Sequence, residues 1–213
     1  MDYQLFQAIN GLAGHNNALD AFMEAVATKG QFVLVGLVAL LWLLPTPVTP
    51  RGLERRLVLY ALLTATVALG INQVIGHIWI RPRPFVAHHV TLLIVASHDS
   101  SFPSDHAALG FGLALPVLLR SRAWGVLLLC GALLLGFARV FVGAHYPGDI
   151  AGAFLVALAI TSEVWILRDL LEIPIRPILR LCARLHLASG EDVPYPPRLA
   201  DGSARTNPSP PVM

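Results

Sequence analysis

Apolar runs long enough to cross a bilayer alternate along this chain with short polar segments, and that alternation sets the expected architecture. Gln31–Leu44 is the first run. It is short for a span of about 20 residues and borrows flanking positions such as Thr28–Gly30. Pro45, Pro47 and Pro50 end it, and a basic loop continues through Arg51, Glu54, Arg55 and Arg56. Leu57–Ile80 forms the second run, with Asn72, Gln73 and His77 near its far end. A long loop, Arg81–Asp105, carries the string RPRPF, the pair His88–His89 and an apolar Val90–Ala96 expected at the interface. His106–Leu119, Trp124–Phe141 and Pro147–Leu167 complete the series, the first two joined by a tight basic connection at Arg120–Arg122. Met1–Gly30 is only mildly amphipathic, holding Asp20, Glu24 and Lys29, and reads as an interfacial or partly re-entrant helix pair. From Arg168 the chain is basic and amphipathic, then Pro-, Gly- and Ser-rich and expected to be disordered. The pattern predicts an all-α, polytopic membrane helix bundle of about five transmembrane helices plus N-terminal interfacial helices. Residues 1–170 form the embedded unit, and 171–213 an amphipathic, then disordered, cytoplasmic tail.

Composition agrees. Of 213 residues, 55% are hydrophobic and only 13% charged, against about a quarter charged in an ordinary soluble domain. A net charge of +2 is too small and too scattered to indicate a nucleic-acid partner. Cys130 and Cys182 show no metal-ligand spacing and are not expected to pair. Met1–Leu12 lacks the basic start and apolar core of a signal peptide, so insertion is expected to use uncleaved internal helices. With alternating spans, Arg51–Arg56, Arg120–Arg122 and the tail arginines 168, 176, 180 and 184 share one face, which the positive-inside rule makes cytoplasmic. Arg81–Asp105 and Gly143–Asp149 then meet on the opposite, outer face.

The stretch Ala138–Asp149, ARVFVGAHYPGD, concentrates the polar chemistry. Gly143 permits a turn, and Pro147 suits the first position of a helix. His145 then lies just ahead of that helix with Asp149 in its first turn, where a carboxylate can hold one imidazole tautomer. Arg139 can offer a bidentate guanidinium to an oxyanion. Taken alone, these features fit equally well a helix-terminus acid and a snorkelling arginine. Two separately derived loops on one face favour a site. Pro103–Ser104–Asp105–His106 opens the third span: Ser104 is an N-cap candidate, and the helix end presents N–H groups to an anion. His106 can donate a proton to a departing oxygen. Arg81 and Arg83 add two cations, although arginines at a helix end also fit a plain interfacial belt.

These stretches resemble the three signature motifs of the type-two phosphatidic acid phosphatase superfamily, which includes vanadium haloperoxidases. Its lysine, six residues, then Arg-Pro is matched at Arg83–Pro84. Its Pro-Ser-Gly-His is matched at Pro103, Ser104 and His106. Its Ser-Arg, five residues, His, three residues, Asp is matched at Arg139, His145 and Asp149. Three positions depart. Gly76 stands at the lysine position, leaving that charge to Arg81 or His77; Asp105 replaces the glycine; Ala138 replaces the serine. The strings GHIWIRPRPFVAHH, SSFPSDHA and INGLAGHN resemble the branch of bacterial undecaprenyl-diphosphatases of the bacitracin-resistance type. The resemblance implies metal-independent hydrolysis of a polyprenyl diphosphate lipid. His145 would attack the terminal phosphorus, Asp149 hold its tautomer, and His106 protonate the leaving group. Arg83, Arg139, Ser104 and the Asp105 amide would hold the oxygens, with Arg81 on the second phosphate or in place of the lysine.

His88, His89 and His98 raise a metal reading, but no Glu or Cys on that face completes a shell, so neither metal nor cofactor is expected. Asn72 and Gln73 are expected to bridge helices. The alternatives within the enzyme class are phosphatidylglycerophosphate, phosphatidic acid or lipid A phosphatase. The alternative from another class is a lipid-binding or transport protein, whose signature would be mid-membrane ionisable groups and broken helices.

Overall fold

The computed structural model describes residues 1–43 and 51–184, and the side chains of 1–43 and 55–182. The prolines expected to end the first span and the tail beyond residue 184 lie outside the described residues. Every regular element described is helical: α1 Asp2–Asn10, α2 Asn17–Leu43, α3 Arg51–Ile78, α4 Pro84–Ala87, α5 Asp105–Leu118, α6 Arg122–Phe141, α7 Pro147–Ile166 and α8 Arg168–Arg184.

Three expectations change. Arg51–Arg56, read as a basic loop, are the first turns of α3. Residues 17–30, read as part of an interfacial pair, are the first turns of α2, which runs unbroken for 27 residues. At about 1.5 Å per residue such a helix is ~40 Å long, about 10 Å more than the hydrocarbon core. Asp20 and Glu24 therefore fall in turns that extend past the apolar layer, and the exposed Lys29 has a stem long enough to reach its edge. Only α1 remains a separate short helix. The last change concerns the third span. Four helices are long and apolar enough to cross a membrane, namely α2, Arg55–Ile78 of α3, α6 and α7, whereas α5 has 14 residues. It reaches only about 21 Å.

A short helix is tolerated here because it faces protein instead of lipid. Ala107, Ala108 and Gly110–Val117 are all buried, and α5 packs against α3, α6 and α7. Lipid tails supply no hydrophobic drive between helices, so close packing through small residues must hold the bundle. Gly110 sits against Ala132 of α6, and Gly112 against the backbone of Ala65 in α3. Phe111 meets Phe154 of α7 edge to face, at a centroid distance of 5.2 Å.

At the end away from α5's N-terminus, α8 packs on α3 and α7 through Tyr60, Val164, Ile175 and Leu179. Its Glu172 accepts bonds from Arg56 Nε (2.9 Å) and the Tyr60 hydroxyl (3.2 Å). At the opposite end, α1 lies over the α6–α7 connection, with Phe6 buried against Val140 and Tyr146. Asn10 fixes the neighbouring strands of loop, its amide donating to the carbonyls of Thr91 and Phe141, both at 2.8 Å.

The α3–α5 crossing offers a test of this packing. A Cβ at Gly112 would lie 2.7 Å from Ala65 Cα. Gly112→Ala should therefore destabilise the bundle by about 1–3 kcal/mol, the usual cost of overpacking. An unchanged unfolding temperature in detergent micelles would contradict this packing.

Candidate active site

The α6–α7 connection is built to place one imidazole. Gly143 has φ +85°, and a Cβ there would lie 2.7 Å from the Thr91 carbonyl oxygen, so both conformation and space require glycine. The turn delivers His145 to a position only 2% exposed. Its Nδ1 is 2.8 Å from the Ser101 carbonyl oxygen and its Nε2 is 3.2 Å from Arg83 Nη1. A carbonyl only accepts and a guanidinium only donates, so these partners assign the proton to Nδ1 and leave a lone pair on Nε2. Burial, with Arg139 and Arg83 nearby, outweighs the opposing pull of Asp149 and pushes the His145 pKa down to about 4. The ring is neutral at pH 7.

Asp149 stands behind that histidine, fully buried at the third position of α7. Its Oδ2 accepts from the Ser101 hydroxyl (2.5 Å) and the Tyr146 amide (2.8 Å) and lies 3.5 Å from His145 Nδ1. Its Oδ1 accepts from Arg81 Nη1 at 2.6 Å. The carboxylate thus orients the imidazole mainly through Ser101, whose carbonyl is the direct partner of Nδ1. Ser101 is in turn located by its neighbour Phe102, whose ring covers Gly152 of α7 so closely that a Cβ there would be 2.3 Å away.

A cavity of about 340 Å³ opens over the N-terminus of α5. Arg83, His106, Arg139 and His145 line it, together with Asp99 and Asp105. Arg83 is held on three sides: Nη1 donates to the Ala144 carbonyl (3.1 Å), Nη2 to Asp99 Oδ1 (3.0 Å) and Nε to the Asp99 carbonyl (3.2 Å). Asp99 lies at the mouth, where burial opposes its ionisation. The Ser97 hydroxyl and Arg83 outweigh that and hold its carboxyl below the ordinary range. Arg139 reaches the Ala27 carbonyl with Nη1 (3.3 Å). Its Nε and the Ser104 Oγ are buried and meet no hydrogen-bond partner among the described residues. Buried donors of this kind are rare and need a partner. An oxyanion, which only accepts, suits them.

Eight residues were expected to form the site. The structure brings Arg83, Arg139, His106, His145 and Asp105 to one cavity, with Asp149 directly behind His145. Ser104 is the residue before α5, as expected of an N-cap, but its hydroxyl makes no cap bond, and its N–H donates to the Asp149 carbonyl at 3.2 Å. Arg81 is placed elsewhere. Both ends of its guanidinium are paired behind the site, with Asp149 and with Asp2 (2.6 Å each), and it does not line the cavity. The Asp105 carboxylate is turned toward α3, accepting from Asn72 (3.2 Å) and Gln73 (2.7 Å), the two amides expected to bridge helices. His88 stacks on Tyr3 at 3.8 Å. Among the described residues no three His, Cys, Asp or Glu side chains form a group that could hold a metal ion. Sequence reading missed Ser101 and Asp2, because a serine in a loop and an acid near a chain end carry no distinguishing pattern.

A model of the PAP2 superfamily matches residues 57–171, from α3 to the first turn of α8. The undecaprenyl-diphosphatase BcrC of Bacillus subtilis is 39% identical over 189 residues, covering 88% of this chain and 93% of that protein. A Bacillus licheniformis protein described as bacitracin transport permease protein BcrC is 29% identical, covering 78% of this chain and 80% of its own. The crystal structure of LpxE from Aquifex aeolicus shares the fold, with a TM-score of 0.63 at 24% identity, covering 75% of this chain and 92% of that one. The long apolar helices and these relatives make the protein a multi-pass membrane protein. The chain belongs to the PAP2 superfamily.

Proposed function

We propose that this protein is a membrane lipid phosphatase that hydrolyses undecaprenyl diphosphate to undecaprenyl phosphate and inorganic phosphate, recycling the cell-wall carrier lipid and conferring bacitracin resistance. The observation that carries the chemistry is the tautomer of His145: a neutral ring, Nδ1–H donated to Ser101, and Nε2 turned toward Arg83 in the cavity. The substrate class comes from the Bacillus subtilis relative, aligned over nearly the whole chain.

In this reading the terminal phosphate enters beside Arg83 and Arg139, taking up the orphaned Arg139 Nε–H and Ser104 hydroxyl and competing with Asp99 for Arg83. The guanidiniums supply fixed positive charge where negative charge grows on the equatorial oxygens. His145 Nε2 forms a bond to phosphorus as the bond to the bridging oxygen breaks. His106 protonates that oxygen, releasing the lipid monophosphate. A water, deprotonated by His106, then breaks the P–N bond of the phosphohistidine and frees inorganic phosphate. Asp149 and Ser101 hold the imidazole throughout.

The transport alternative has less support. α2, α3, α6 and α7 are continuous, and the ionisable groups gather at helix ends instead of mid-membrane. We place the site on the outer face, opposite Arg120, Arg122 and α8, with the C-terminal tail in the cytoplasm.

Purified protein should release phosphate from undecaprenyl diphosphate in preference to phosphatidic acid and phosphatidylglycerophosphate, and EDTA should not abolish it. His145→Ala should remove turnover in a folded protein; retention of about a tenth of the activity would refute nucleophilic catalysis by this residue. Asp149→Asn should be severe, on the scale of ~10⁴ seen when a carboxylate that orients a catalytic histidine is neutralised.

The acid limb of kcat/KM gives a separate check. A lowered pKa keeps the attacking neutral form populated until the pH falls through about 4, so the His145 limb should lie near 4 instead of in the ordinary histidine range. A limb in the ordinary range that moves on Arg83→Gln would contradict the buried setting.

Sidedness is tested by labelling. A cysteine introduced at Ala87 should react with an impermeant maleimide in intact spheroplasts, and one at Ser203 only after lysis. The reverse pattern would put the site in the cytoplasm and remove the recycling role.

A further inference from the structure

α1 does more than cover the bundle. Asp2, its first residue, sits at a meeting point of charge. Its Oδ2 accepts from Arg81 Nη2 at 2.6 Å, and its Oδ1 accepts the Gly148 N–H at 2.8 Å. Gly148 is in the first turn of α7, where the helix dipole favours a carboxylate. A Cβ on Gly148 would fall 2.8 Å from Asp2 Oδ2, so the approach depends on glycine. Arg81 is clamped between Asp2 and Asp149 with its guanidinium 4.2 Å from the centre of the Tyr146 ring. Phe6, buried against Tyr146 and Val140, and Tyr3, stacked on His88, anchor the helix that carries Asp2.

We propose that Asp2 is a positioning residue for His145, acting through Arg81 and the start of α7; the inference rests on the phosphatase reading above. The chain of bonds is continuous: Asp2 holds Arg81, Arg81 holds Asp149 Oδ1, and Asp149 Oδ2 holds the Ser101 hydroxyl. The Ser101 carbonyl then holds Nδ1 of the attacking ring. Arg81 is partly exposed, with 27% of its side chain accessible, whereas Asp149 is fully buried. Without Asp2 the guanidinium loses one of its two anchors and is free to turn toward solvent. Asp149 then loses its fixed counter-charge, and Ser101 shifts with it. None of Asp2, Arg81 or Gly148 lines the cavity. Their loss should therefore disturb the reacting geometry more than substrate binding.

The test uses the full-length protein with any tag placed at the C-terminus. Asp2→Ala should lower kcat strongly with KM nearly unchanged, since a ~1 Å misplacement of a reacting group can cost about a hundredfold. Gly148→Ala, which displaces Asp2 from the other side, should give the same split. Because Asp2 acts in part through Arg81, the Asp2→Ala/Arg81→Ala double variant should lose less than the product of the two single losses. Phe6→Ala, which loosens α1 without removing the carboxylate, should lower the unfolding temperature more than Asp2→Ala and kcat less. Amide hydrogen exchange at Tyr146–Asp149 should accelerate in Asp2→Ala, a readout that needs no substrate. Full activity in Asp2→Ala, additive losses in the double variant, or a loss confined to KM would overturn the inference. A wild-type protein that releases no phosphate from any lipid, together with faster exchange in Asp2→Ala, would instead remove the phosphatase reading and leave the positional link standing.

Discussion

The buried carboxylate of Asp149 is the constraint on which the rest of the site depends. An ionised acid removed from water is costly unless it is paired and hydrogen-bonded. Here it has four partners: Arg81, the Ser101 hydroxyl, the Tyr146 amide and the nearby His145 ring. The partners come from three separate parts of the chain. Arg81 follows α3, Ser101 precedes α5, and Tyr146 and His145 lie between α6 and α7. Satisfying one charge therefore ties the ends of four helices together. One of these partners, Ser101, also supplies the carbonyl that sets the imidazole's tautomer.

The short α5 gives that charge cluster its opening. Its neighbours α3, α6 and α7 are longer by a turn or more, and the cavity lies over the place where α5 begins. Two guanidiniums face this space with only Asp99 to offset them, since Asp105 is turned to the amides of α3. Fixed positive charge of this kind, together with the unpaired Arg139 Nε and Ser104 Oγ, suits a tetrahedral oxyanion. Where the family has a lysine, Gly76 leaves a second, smaller polar space beside the first, lined by His77, His98 and the same Asp99 and Asp105.

Small residues make this possible. Gly110 and Gly112 let α5 sit within contact of α6 and α3 backbones, while Gly152 admits the Phe102 ring that pins the Ser100–Ser104 strip to α7. In a bundle without hydrophobic drive between helices, such contacts set the register of the helices, and the register sets where the loops meet.

The apolar periodicity and low charge of the sequence determined the all-helical membrane bundle, because segments in lipid must satisfy their own backbone bonds. The spacing of Arg139, His145 and Asp149, and the order Arg83, Ser104, His106, carried the resemblance to the superfamily and named four of the side chains that line the cavity. Those features are local, set by residues a turn or a loop apart. The tertiary structure alone decided that α2 begins at Asn17, since polar residues at the start of a long helix can extend beyond the apolar layer. It alone gave α5 its protein surroundings, so that 14 residues suffice. Only the fold could show that the Nδ1 partner is a Ser101 carbonyl, because a backbone oxygen leaves no mark in the residue types. Only the fold could bring Asp2 to Arg81, 79 positions away. A pairing between distant charges depends on helix register, which is fixed by packing over the whole bundle and not by any one stretch of the chain.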